Sequence, residues 1–146
     1  MNTTRTGRER GQALVEFALV FPVFLLLFFG VIDIGRLVYV NNAVAQAARE
    51  GSRWGAVADR TQANNYPMNI VDQTTGLMTA VPSPSVSIAC YLPTDATLSN
   101  PVSSGLCAAG DLLQVKVSSP VQMFTPVIGQ LIGTVTVAST SQVVVN

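Results

Sequence analysis

Hydrophobic positions are concentrated in one uninterrupted block near the start of the chain. Residues 17–32 contain no ionisable side chain, and the apolar character begins at Ala13. A helix over 13–32 would be about 30 Å long, which is roughly the hydrocarbon thickness of a bilayer. The pattern therefore predicts a membrane-spanning helix, to which we assign residues 12–35. Helical periodicity continues to about Ala58, so the same helix is expected to extend beyond the membrane over 36–58.

Three later segments alternate apolar and polar residues with the period of a half-buried strand. Their approximate ranges are 84–92, 111–119 and 134–145. A polar connection begins at Asp59, and a short helix can start at Pro67. We therefore predict an α+β fold, in which the long N-terminal membrane-spanning helix continues outside and packs on a small antiparallel sheet of about three strands. This β-rich domain would comprise residues 59–146.

The segment 118–133 is apolar, but two prolines and two glycines interrupt it. It is too short and too broken to be a second membrane span. Two interpretations remain open. The segment is a loop or a short helix that covers one end of the sheet, which is the favoured interpretation, or it presents a partly exposed apolar surface to a partner subunit.

Charges are few and unevenly distributed. The eight basic and eight acidic residues balance, so no overall field attracts nucleic acid, and no nucleic-acid partner is expected. Arg5, Arg8 and Arg10 precede the apolar block, whereas Asp33 and Arg36 nearly cancel after it. Because positive flanks stay in the cytoplasm, we expect a single-pass protein with its N-terminus inside and everything after about Gly35 outside.

Glu16 is an unusual residue at the start of an apolar helix. A carboxylate at the centre of a membrane helix costs on the order of 2.5–3.5 kcal/mol, less near the interface, and usually has a partner. A plain signal anchor would not explain it. A cleaved secretory signal peptide fits poorly as well, because its candidate cleavage site at 43–45 lies about eleven residues beyond the apolar block.

The stretch around Glu16 resembles the class III signal of type IV pilin-like proteins, which has a basic leader, a glycine and then an apolar helix with glutamate at its fifth position. The resemblance implies a leader over 1–11, cut between Gly11 and Gln12, and an aromatic residue, Phe17, after the glutamate. Cleavage would free the α-amine of Gln12. The Glu16 carboxylate could then pair with this amine or with that of a neighbouring subunit, and such a pair gains more in lipid than in water.

Two further features lie in the outer part of the predicted helix. Asp33 and Arg36 are three residues apart and can pair on one face at the membrane exit. Small residues also recur every four positions, and such rows let helices approach closely. Alanine is equally a good helix former, so close packing and simple helix propensity both remain open for this row. Its members are Ala43, Ala47, Gly51 and Gly55.

Together, Gly11, Glu16, the Asp33–Arg36 exit and the segment 47–53 resemble the N-terminal region of TadE-like proteins, which are minor pseudopilins of the tight-adherence (Flp) pilus of bacteria. The resemblance implies cleavage by a prepilin peptidase, contacts with other pilin-like subunits, the pilus assembly machinery and membrane lipid, and a homo-oligomer or filament. It also implies a location in the bacterial cytoplasmic (inner) membrane or an extracellular pilus. Similar Phe-Thr-Pro segments, here 124–126, precede the last strand in such chains.

The two cysteines, Cys90 and Cys107, both fall in the predicted external domain. An even number of cysteines outside the cytoplasm predicts a disulfide, which would close a loop rich in proline and serine. A metal site would require more ligands than the two thiols, and the chain has no histidine.

The residues offer little for catalysis. No histidine can act as a general base, and neither a nucleophile motif nor a phosphate-binding loop occurs. We therefore expect no enzymatic activity, no cofactor and no bound metal. The main alternative to a cleaved pilin-like subunit is an uncleaved, single-span membrane-anchored adaptor whose external domain binds another envelope protein.

Overall fold

The computed structural model describes residues 6–58, 66–95, 97–102, 107–125, 129–130 and 133–145, with the backbone alone described for 6–10 and 66–68. The predicted α+β fold is confirmed, because a long helix packs on a three-stranded antiparallel sheet. The first residues of the expected leader, 1–5, and the expected connection over 59–65 lie outside the described residues.

The long helix α1 covers Thr6–Val57 and has 52 residues, which corresponds to a length of about 78 Å. Its first half is exposed around its circumference, apart from two half-buried positions within 11–32. Its second half has a buried stripe that recurs every three or four residues, as expected for a helix with one face on a core. The residues of this stripe are Val40, Val44, Ala47, Ala48, Gly51, Ser52 and Gly55.

The remaining elements follow the predicted order. They are the helix α2 over Tyr66–Gly76 and the strands β1, β2 and β3 over Ser85–Tyr91, Leu112–Gln122 and Thr134–Val144. The strands lie in the order β1-β2-β3, with β2 in the centre and both pairings antiparallel. The inward residues of the central strand, Leu113, Val115 and Val117, are fully buried, whereas Lys116 is exposed, as the alternation predicts.

The central strand is longer than the sequence pattern indicates. β2 continues through Pro120 to Gln122, into the segment for which we expected a loop or a short helix. Proline cannot donate a hydrogen bond to a ladder, so it is normally confined to sheet edges. Pairing between β1 and β2 ends at Ser118, and Pro120 therefore has only β3 beside it, opposite Thr136. The extension is compatible with proline because this end of β2 is an edge.

β2 runs alongside the outer half of α1 in the opposite direction. Leu113 lies against Gly55 near the end of the helix, Val115 lies against Gly51, and the carbonyl of Gln122 accepts a hydrogen bond from Arg36. Nineteen helical steps and nine strand steps both cover about 30 Å, so the two elements match in length. We call the end at Arg36 and Gln122 the proximal end, and the end at Gly55 the distal end.

Candidate functional site

The exposed apolar half of α1 is the first candidate site. The segment Gly11–Val57 is long and apolar enough to cross a membrane, with only 6% of its most apolar window buried against the chain itself. Large side chains such as Leu14, Leu19 and Leu27 are more than 60% exposed. Such a surface requires lipid or protein around it. The chain therefore carries one N-terminal helix that can anchor it in a membrane.

Gly11 lies near the start of this exposed surface. A Cβ atom placed at Gly11 would meet no other atom within 4 Å. The packing of the folded chain therefore does not require a glycine here, unlike at Gly51 or Gly55. Recognition by another protein would be a different reason for a glycine at this position.

Glu16 lies five residues further along the same surface and is exposed. The next residue, Phe17, stacks its ring on that of Phe21, with 5.2 Å between the ring centroids. No hydrogen bond or ion pair joins Glu16 to another residue in the described part of the chain. The carboxylate is thus available to a group from another molecule, or to the amine that cleavage before Gln12 would produce.

The second candidate site lies at the end of the apolar half of α1. There α1 contacts the loop between β2 and β3. Asp33 is only 5% exposed. Its Oδ1 accepts a hydrogen bond from the Phe124 N–H at 2.9 Å, and its Oδ2 accepts bonds from the Thr125 N–H and hydroxyl at 2.9 and 2.6 Å. One carboxylate therefore holds two consecutive backbone amides. We call residues 122–125, which are the last residue of β2 and the three that follow it, the proximal loop.

Arg36 contacts the same proximal loop from the next turn of α1. Its Nη1 donates a hydrogen bond to the Gln122 carbonyl at 3.2 Å, and its guanidinium lies 4.7 Å from the centroid of the Phe124 ring. The structure thus brings Asp33 and Arg36 to one place, where their hydrogen bonds are made to the loop rather than to each other. Both side chains thus connect the helix to the end of the sheet.

The row of small residues lies inside the molecule. A Cβ atom on Gly51 would collide with the Thr74 hydroxyl, and one on Gly55 would collide with a methyl group of Leu113 and touch Ile70. Ala47 is buried in the same core, and Ala43 packs against it. The row allows α1 to approach α2 and β2 of its own chain, so its four members are largely used within one subunit.

Cys90 and Cys107 form a disulfide at the distal end, which confirms the expected bond. Both cysteines are buried. The loop that the disulfide closes contains a turn around Asp95, whose carboxylate accepts hydrogen bonds from Thr97, Ser99 and Asn100. In the described ranges, no three His, Cys, Asp or Glu side chains lie close enough to share a metal ion.

Sequence reasoning did not identify the proximal loop as the partner of Asp33. The available signals were an acid at the exit of the apolar helix and the Phe-Thr-Pro segment before the last strand. Neither signal alone specifies that two backbone N–H groups would face the carboxylate, because the contact joins residues 91 and 92 positions apart.

Comparison with known proteins supports the resemblance of the N-terminal region. The family model of the TadE-like proteins matches residues 11–53. The match includes Gly11, Glu16, Asp33 and Arg36, whereas both cysteines lie outside it. No curated protein and no solved structure shows significant similarity to the chain. The resemblance is confirmed over the matched residues.

Proposed function

We propose, from the TadE-like character of residues 11–53, that the chain is a pilin-like subunit that acts in the assembly or structure of a tight-adherence pilus. A prepilin peptidase would cut it between Gly11 and Gln12. The remaining helix would stay in the cytoplasmic membrane, with the sheet domain outside, until it joins other pilin-like subunits or the assembly machinery.

The observation that carries the proposal is the position of Glu16. It is an exposed carboxylate on the apolar half of α1, five residues after a glycine that packing does not require. In lipid, a charge without a partner is unfavourable, so a neighbouring amine would be attracted strongly. Pairing with the α-amine of Gln12, on the same or an adjacent subunit, would remove this cost during association.

Cleavage is tested by N-terminal sequencing and intact mass of the protein from its own cells. We expect a chain that begins at Gln12, and we expect Gly11→Ala to retain the leader. Gly35→Ala is the matched control, since a Cβ atom there also meets nothing within 4 Å. A native chain that keeps residues 8–11 would instead support the uncleaved membrane-anchored adaptor.

Association is tested by crosslinking in the membrane. We expect Glu16→Ala and Glu16→Gln to insert normally but to lose most of the crosslinked species, because neither variant offers a negative charge to the amine. Glu50→Ala is the control, since Glu50 lies on the same helix and pairs with Arg53 at the surface. Crosslinking of the Glu16 variants at the level of the control would contradict the pairing.

A further inference from the structure

We infer that the proximal loop lies at the outer surface of the bilayer and inserts the Phe124 ring between phospholipid headgroups. The inference rests on the proposed membrane anchoring by α1. It adds a second contact with lipid, made by the β-rich domain instead of the helix.

The depth of the loop follows from its attachment to Asp33. Asp33 comes directly after the apolar stretch 13–32, which is just long enough to cross the hydrocarbon layer. Three hydrogen bonds of 2.6–2.9 Å hold the backbone of Phe124 and Thr125 against this carboxylate. When the helix spans the bilayer, these two residues must lie at the boundary between hydrocarbon and water.

The two residues differ sharply in exposure. Thr125 is 1% exposed, because its hydroxyl reaches Asp33, whereas Phe124 is 63% exposed. On the helix at the same level, Ile34 is 65% exposed. Aromatic residues are enriched at membrane surfaces, where an apolar ring can enter the headgroup layer. The exposed ring thus has the chemistry that its depth requires.

Arg36 supplies a positive charge that is complementary to a lipid phosphate. Its guanidinium lies over the Phe124 ring and is partly exposed, with one N–H group on the Gln122 carbonyl. A guanidinium at the level of the headgroups can donate its remaining N–H groups to a lipid phosphate. Apolar ring and cation together therefore favour a phospholipid surface over a purely apolar protein partner.

The experiment uses tryptophan quenching by lipids brominated on their acyl chains. The full chain is reconstituted in vesicles of phosphatidylcholine and phosphatidylglycerol that contain brominated phosphatidylcholine. The natural chain has one tryptophan, Trp54, which lies about 32 Å along the helix from Asp33 and is the unquenched reference. Two variants in a Trp54→Phe background carry the probe at Phe124→Trp or, within the predicted span, at Phe24→Trp.

We expect strong quenching at position 24, comparable quenching at position 124 and none at Trp54. Quenching at 24 with none at 124 would overturn the inference and leave the membrane anchor intact. No quenching at 24 would remove the anchor itself, and with it both proposals. The tryptophan at 124 could instead be unquenched, with an emission wavelength that shifts when the protein is diluted in lipid. That result would mean that Phe124 contacts a second copy of the chain, and it would also overturn the inference.

Discussion

Gly51 occupies a point where α1 has no space for a side chain. A Cβ atom there would meet the hydroxyl and methyl groups of Thr74 and a methyl group of Val115. Both neighbours are β-branched and therefore stiff at χ1. The Thr74 hydroxyl is also held by the Ile70 carbonyl at 2.6 Å. The neighbours cannot move aside easily.

We expect Gly51→Ala to lower the free energy of unfolding by about 1–2 kcal/mol. Overpacking costs about 1–3 kcal/mol, and the better helix propensity of alanine recovers at most about 1 kcal/mol. The measurement is urea unfolding of the full chain in detergent, followed by Trp54 fluorescence. Gly35→Ala should be neutral or slightly stabilising, because a Cβ atom there meets nothing. Equal stability of the two variants would contradict the close approach.

Asp33 has a larger expected effect, because its removal leaves the buried donors of Thr125 without an acceptor. We expect Asp33→Ala to cost about 3 kcal/mol locally, since hydrogen bonds to charged groups contribute about 1.5–3 kcal/mol and are not additive. Amide hydrogen exchange at Phe124 and Thr125 should accelerate by about a hundredfold. Asp33→Asn keeps one acceptor oxygen, so its exchange rates should lie between those of the natural chain and those of Asp33→Ala. Unchanged exchange at both amides would show that Asp33 does not hold the loop.

Asp95 gives the chain a pH dependence at the distal end. Hydrogen bonds from the Asn100 N–H and the Thr97 hydroxyl, with smaller contributions from the Thr97 and Ser99 N–H groups, hold the pKa of its carboxyl below the ordinary 3.8. Because the folded-state pKa is depressed, its stabilising contribution is fully present above the unfolded-state pKa. The contribution is lost as the pH falls through the folded-state value.

We therefore expect the amide resonances of Thr97, Ser99 and Asn100 to shift together in an acid titration, with a midpoint below pH 3.8. Asp95→Asn should abolish the shared transition. A midpoint at or above the ordinary value would mean that the turn does not stabilise the charged carboxylate.

At the scale of elements, the disulfide constrains the connection between β1 and β2. It joins residues 17 positions apart, and closing such a loop stabilises a protein by about 3 kcal/mol in the chain-entropy description. We expect the double variant Cys90→Ala, Cys107→Ala to lose about that amount in urea unfolding. Dithiothreitol should destabilise the natural chain similarly but leave the double variant unaffected. Destabilisation of both by the reductant would point to another cause.

Elements with a clear local pattern could be predicted from sequence. Alternation at Leu113, Val115 and Val117 is sufficient to identify a strand and its inward face, because burial on one side repeats every two residues. The extension of β2 through Pro120 could not be predicted. It depends on where β1 stops pairing, which is a property of the neighbouring strand.

The site shows the same division between local and long-range information. Gly11 and Glu16 could be selected from their spacing, and the TadE-like match covers them. The role of the small-residue row remained ambiguous, because a helix that approaches another subunit and one that approaches its own sheet require the same small side chains. Only the tertiary contacts of Gly51 and Gly55 show that this row packs against other elements of its own chain.

At the scale of the whole molecule, α1 is both a candidate membrane span and a core element. Its first half is exposed for lipid or protein, and its second half is one wall of the folded domain. We propose, from the basic residues before the apolar block and the positive-inside rule, that the N-terminus lies in the cytoplasm. The sheet domain would then lie on the other side of the membrane.

This orientation predicts the outcome of a protease experiment on spheroplasts. A tag appended to the C-terminus should be digested by protease added outside, while a tag at the N-terminus should survive until the cells are lysed. The N-terminal tag is read in the Gly11→Ala variant, in which we expect the leader to remain attached. Protection of the C-terminal tag and loss of the N-terminal tag would reverse the topology.

The one-sided burial of α1 also limits how several chains could stand side by side. Within the apolar half, neighbours can approach the helix from every direction, whereas above Asp33 the chain's own sheet already fills one flank. Any cluster of these molecules must therefore be narrow at the level of the apolar halves and wide at the level of the sheet domains. Steric contact between the sheet domains would then limit how many apolar halves can pack together.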